Sequence, residues 1–242
     1  MGLNEDPKVD IQSDNAIVPS ERGRRETMQI AAGVESRAMF NILKCPELRQ
    51  KAMEFLLGAS MAWSLKLLRP HDLPAVTRLN AFDALARNAL ILEIPVELLE
   101  SDDDNSPFLM QGPQSPQARN YPGQLAPTLL QKSIKHHPWL DLLPIPGLRD
   151  NILRGIEAGL LDEECLSQEL VCSLLNLDAT SKPSLMIWGD SWDISGWEFS
   201  PDFFRRWAWL LEGSPEAWRA TNYWREKRCE MRLEYILNRP QD

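Results

Sequence analysis

The chain has 242 residues, 43% hydrophobic and 25% charged, so it can bury a core and is not disordered throughout. Lys and Arg number 26 against 35 Asp and Glu, a net charge of −9. That argues against nucleic-acid binding through the overall field, because phosphates attract a basic surface.

The opening MGLNEDPKVD shows no basic start followed by an apolar core, so no secretory leader is expected. Asp6 stands where a myristoylation signal has a small hydroxyl residue. The most apolar run, Phe55–Leu65, is 11 residues, short of the roughly 20 that a membrane span needs, so no membrane partner is expected. Cys45, Cys165, Cys172 and Cys229 lie far apart without a CxxC pair and read as reduced thiols of a nuclear or cytoplasmic protein.

Residues 1–25 are polar, with Pro7, Pro19 and scattered charges, and read as a disordered tail. Residues 26–242 read as a single helical domain in three parts: a helical half (47–100), a Pro/Gly-rich connection (101–130) and a Trp-rich half (131–238). From Glu47 to Leu68 apolar residues recur at threes and fours, predicting a helix buried on most sides and ended by Pro70. Asp72 is the expected N-cap of a second helix through Val76, Leu79, Phe82, Leu85 and Leu90, and a short third one takes in Val96, Leu98 and Leu99. The connection is punctuated by Pro107, Gly112, Pro113, Pro116, Pro122, Gly123 and Pro127. Beyond it, helices are expected over Gly147–Ala158, after an Asp162 cap, from Ser200-Pro201 to a stop at Gly213, and from Ser214-Pro215 to about Leu237. Ser184–Trp188 is the one strand-like run and is too short to build a sheet. The fold class is all-α, an irregular helical bundle with long Pro-rich connections.

Nine tryptophans against three tyrosines is unusual, and eight of the nine lie at or after Trp139. The chemistry-bearing residues cluster in the same half. His136 and His137 are adjacent and cannot share a helix face, and no HExxH-like spacing supplies a metal site. Trp188-Gly189-Asp190-Ser191-Trp192-Asp193 alternates rings, small residues and acids. Asp190 and Asp193 could be paired carboxylates or simply satisfy backbone amides of a tight loop. Trp192 and Trp197 could form an aromatic cage or pack in a core. On the last helix Asn222 and Trp224 stand out for burial or recognition, amid charges of mixed sign. No P-loop, GxGxxG or GxSxG is present, so no catalytic residue, metal or cofactor is assigned.

HHPWLDLLPIPGLRDNIL (136–153), LMIWGDSWDISGWEFSPDFFRRWAWLLEG (185–213) and ATNYWREKR (220–228) resemble a fungal domain of unknown function that accompanies the basic leucine zipper of many fungal transcription factors. RLNAFDALARNALILEIPVELLESDDDNSPF (78–108) is similar to its upstream part, so the resemblance spans about 47–231. A zipper needs a basic helix leading into leucine heptads, and the first 46 residues contain neither. The resemblance therefore implies a companion domain without its DNA reader. It implies a regulatory role, typically near a secondary-metabolite gene cluster, exercised on a protein partner such as a transcription factor or on a small-molecule ligand. The expected binding residues are His137, Trp139, Asp141, Arg149, Asp150, Trp188, Asp190, Trp192, Asp193, Trp197, Asn222 and Trp224, with Trp207, converging on an aromatic pocket with polar edges. The alternative is an enzyme of secondary-metabolite biosynthesis with His137, Asp190 and Asp193 as acid–base groups in that pocket.

Overall fold

The computed structural model describes residues 32–67, 69–101, 105–109 and 121–234. The tail expected over 1–25 and the far end of the expected last helix lie outside them. The described fold is all-α apart from one two-stranded ribbon.

Helices α1 (Met39–Ile42) and α2 (Pro46–Ser64) lead into α3 (Leu73–Ile91) and α4 (Val96–Glu100). Proline at the first turn starts α2 and α3, where its missing N–H costs nothing. Asp72 sits at the N-cap position of α3, but its side chain makes no capping bond and instead lies 3.3 Å from His71 Nε2. Helix α2 stops at Ser64, earlier than its apolar pattern predicts. Lys66 turns left-handed (φ 57°), its N–H reaches the Trp63 carbonyl, and the Leu67 N–H reaches that of Ala62. This is a Schellman closure with lysine where glycine is usual. Nor is α2 buried on most sides. Ala52, Leu56 and Ala62 face the core, whereas Met61, Trp63, Leu65 and Leu67 are exposed.

Helix α3 is the hub. Ala75, Ala81, Ala84, Ala86 and Ala89 are all buried, and their small side chains let neighbours approach on every side. Its polar residues tie distant segments to it. Asp83 accepts from the Met39 N–H at 3.0 Å, and Asn88 Nδ2 donates to the carbonyls of Leu142 (2.8 Å) and Ser191 (2.9 Å).

After the connection, a 3₁₀ turn (Pro138–Leu142) precedes α5 (Pro146–Glu157) and α6 (Glu163–Leu170). Asp162 caps α6 as expected, accepting from the N–H groups of Glu164 and Cys165. Strand β1 (Leu185–Ile187) pairs antiparallel with β2 (Trp197–Phe199) in the register Leu185↔Phe199 and Ile187↔Trp197. The short apolar run thus does find a partner, correcting the expectation that it would stay unpaired. Ser200 caps α7 (Pro201–Trp207), and α8 (Pro215–Lys227) packs on β2, where Thr221 Oγ1 accepts from the Phe199 N–H. Helix α8 ends about ten residues before the expected Leu237. Cys229 turns left-handed (φ 56°), and the Glu230 N–H closes on the Arg225 carbonyl at 3.0 Å. Buried Asn222 then clasps Leu233, accepting from its N–H (2.8 Å) and donating to its carbonyl (3.3 Å). One hydrophobic cluster runs from Val34 through α3, the 3₁₀ turn, α5, the ribbon and α7 to Ala217.

Candidate functional site

The rigid Pro138 corner turns the chain so that Asp141 points back at His136, and both side chains are fully buried. Asp141 Oδ1 accepts from His136 Nε2 (3.1 Å) and Gln131 Nε2 (2.5 Å), and Oδ2 accepts from Ser106 Oγ (2.7 Å). His136 Nδ1 lies 2.8 Å from the Ile134 carbonyl. A carbonyl and a carboxylate only accept, so both ring nitrogens must donate and His136 is an imidazolium. Burial pushes its pKa down, but the hydrogen bond and charge of Asp141, the Ile134 carbonyl and the charge of Glu163 outweigh burial, and the net shift is upward.

Buried Arg149 completes the cluster. Its guanidinium donates to the carbonyls of Ala126 (2.8 Å) and Leu125 (3.4 Å), tying the connection to α5, while its Nε lacks a partner. Burial lowers its pKa to about 10 against the opposing pull of Asp141 and Asp150, so it stays cationic at neutral pH. Sequence reading named Asp141 and Arg149 as binding residues and His136 only as one of an adjacent pair, and it missed Gln131 and Ser106. Asp150 lies on α5, 3.8 Å from Arg154 one helical turn further on.

His137, the histidine that was singled out, has both nitrogens engaged. Nδ1 accepts from the Trp139 N–H (3.2 Å), so Nε2 carries the proton and donates to the Ser101 carbonyl (3.1 Å). It caps the 3₁₀ turn.

The ribbon carries a second polar cluster. Glu198, almost completely buried on β2, accepts from Trp188 Nε1 (2.8 Å) and from the Arg228 guanidinium, which also stacks over the Trp188 ring at 5.2 Å. Arg228 in turn meets Glu230, which also contacts Lys182 at 2.6 Å. Glu230 is partly buried, yet the Lys182 and Arg228 charges and hydrogen bonds draw its pKa down to about 2. Between the strands the loop doubles back so tightly that a Cβ on Gly196 would meet the Gly189 backbone at 2.8–2.9 Å. Asp193 caps the turn at 194–196, both oxygens accepting from Ser195, and Asp190 is exposed.

The predicted indoles are spread over these features. Trp139 and Trp197 are in the core, with Trp197 Nε1 on the Ser191 carbonyl. Trp188 and Trp224 pair at 5.8 Å with Arg228 above Trp188, and Trp224 Nε1 holds the Ser195 carbonyl. Trp192 is exposed, and Trp207 donates to Glu169. The structure thus brings Trp188 together with Trp224 and places Asp141 near Arg149, and it does not gather the remaining residues into one pocket with them.

An open recess lies elsewhere. A cavity of about 480 Å³ is set between α2 and α3, with walls of Leu56, Ala59, Ala62 and Val76, a rim of Trp63, Leu67, Pro70 and Leu73, and polar groups from Arg37, Asn80, Ser60, Ser64, Arg69 and Asp72. Trp63, Leu67 and Leu73 are 73%, 58% and 62% exposed, far above what core-facing residues show. Sequence reading put this apolar surface in the core because an exposed and a buried helix face carry the same residues.

Residues 103–217 match the family model described as a domain of unknown function, DUF3425. That stretch holds the His136–Asp141 cluster, the ribbon and α5–α7, whereas the α2–α3 cavity lies before it. No curated protein and no solved structure matches the chain. Among the described residues, no group of three or more His, Cys, Asp and Glu is placed to hold a metal, and no helix is long and apolar enough to cross a membrane.

Proposed function

We propose that this chain is a regulatory protein of fungal gene control, associated with a secondary-metabolite gene cluster. It works in the nucleus or cytoplasm by binding a protein partner or a small molecule, and it does not read DNA directly. The observation that carries this reading is a division of labour among side chains. Two of the three groups that an enzyme would use for acid–base work are occupied in holding the chain, His137 by Trp139 and Ser101 and Asp193 by Ser195, while Asp190 is exposed to solvent outside the α2–α3 recess. The apolar-lined recess between α2 and α3, by contrast, stays open. Binding needs such a recess and no free base. The net charge of −9 supports the absence of direct DNA reading, and the resemblance to zipper-associated domains supports the setting.

Deleting the gene tests it. Lower transcript levels across the neighbouring cluster, with no new intermediate, are expected. An accumulated pathway intermediate with unchanged transcripts would overturn the regulatory reading in favour of an enzyme.

A further inference from the structure

We propose that the α2–α3 cavity binds a small lipophilic carboxylic acid, its apolar body between the two helices and its carboxylate on Arg37. This deepens the small-molecule arm of the binding reading and rests on it.

Three observations lead to that ligand class. The first is shape. At about 480 Å³ the cavity falls within the 300–1,000 Å³ of small-molecule sites, and Leu56, Ala59 and Val76 give it apolar walls. The second is the rim. Trp63, Leu67 and Leu73 stand well out into water around one opening, a patch that a lone soluble surface rarely keeps without a binding role. The third is charge. Half-buried Arg37 offers five N–H donors, and among the described residues its hydrogen-bond partner is the neutral Asn80 Oδ1 at 2.8 Å. Arg69 also lines the cavity and makes no ion pair among the described residues. The one acid in the lining, Asp72, already lies beside His71. Two guanidinium groups against one partnered carboxylate make this spot locally positive in a chain of net charge −9. A planar carboxylate matches the guanidinium fork in two parallel hydrogen bonds, and a low-dielectric wall strengthens them.

The test uses the full chain and displacement of bound anilinonaphthalene sulfonate, an apolar anionic fluorophore. Decanoate and decan-1-ol compete separately, because they share a body and differ in the charged head. Decanoate is expected to compete at least about tenfold better, as charge-assisted hydrogen bonds require. Arg37→Gln should remove that preference and leave the alcohol unchanged. Ala59→Phe fills the cavity while deleting no bond, and should abolish displacement by both with the thermal unfolding transition retained. The proposal is overturned by no displacement, by equal competition of acid and alcohol, or by displacement that Ala59→Phe does not touch. Displacement by an acidic amphipathic peptide alone would overturn it too, replacing the small acid with a protein partner. None of these results alters the transcript measurement, so this site and the regulatory reading fail separately.

Discussion

The Asp141 carboxylate can be perturbed with almost no change of shape by Asp141→Asn. In the folded chain it accepts three hydrogen bonds at 2.5–3.1 Å, from Gln131, Ser106 and the imidazolium of His136, and none of its surface meets water. An asparagine has one accepting oxygen, so it can satisfy either Gln131 and His136 or Ser106. Its amide nitrogen must then face a hydroxyl that already accepts from the Phe108 N–H, or two N–H donors. His136 also loses its counter-charge inside the core. Hydrogen bonds to charged groups contribute about 1.5–3 kcal/mol each, and breaking a buried pair by removing one partner costs about 3–5 kcal/mol. The expected loss is therefore about 3–5 kcal/mol, read from the urea midpoint at constant slope. The pH dependence checks the cause. The folded His136 pKa lies above its ordinary 6.5, so its contribution is complete below about pH 6.5 and fades as pH rises through the raised value. The gap between wild type and Asp141→Asn should accordingly be widest in mild acid and narrow toward alkaline pH. A loss below about 1 kcal/mol, or a gap independent of pH, would refute the imidazolium–carboxylate assignment.

Gly196→Ala should destabilise by about 2 kcal/mol or more, because its Cβ would press on the Gly189 backbone, which cannot move aside like a side chain; an unchanged melting curve would count against the tight hairpin. Arg228→Ala leaves the Glu198 carboxylate buried with Trp188 Nε1 as its remaining donor among the described residues and uncovers the Trp188 face, so a loss of about 2–4 kcal/mol with a red shift in tryptophan emission is expected by denaturation and fluorescence. Cys229→Gly should go the other way, raising stability by about 1 kcal/mol, since a left-handed φ of 56° strains any residue with a Cβ and this thiol is exposed; equal or lower stability would argue against the helix ending at this turn.

Much of the fold could be read from punctuation. Asp162, Ser200 and the prolines at 201 and 215 sit where helices begin, because capping is a local bond between a side chain and amides two or three residues on. Helix ends closed by non-glycine residues could not be read that way. Lys66 and Cys229 adopt a glycine-like φ because the closing backbone bonds and the following packing outweigh the steric cost, and nothing in a lysine or cysteine announces it. The β2 strand was missed for a related reason. Trp197–Phe199 is three residues long, and its pairing depends on a loop closing through Gly189 and Gly196 at van der Waals contact.

The two histidines show where site reading from sequence stops. Adjacent residues on an extended stretch point opposite ways, so one of the pair had to turn inward, and the choice depends on the Pro138 corner that aims Asp141 back along the chain. A carboxylate five residues after His136, across that corner, was the available signal; it gains meaning only with Ser106, which comes from the Pro/Gly-rich connection, and Gln131, just past its end. Described points of the connection are anchored to the interior, Ser106 through its hydroxyl on Asp141 and Leu125 and Ala126 through their carbonyls on Arg149. The same physics separates the two candidate sites. The Asp141 cluster inside the family-matched stretch is held by its own members, with three hydrogen bonds on the carboxylate, and fixes the local shape. The α2–α3 recess has the opposite character, with Trp63, Leu67 and Leu73 in water and guanidinium groups that meet no carboxylate among the described residues, and a surface left in that state gains most from being covered.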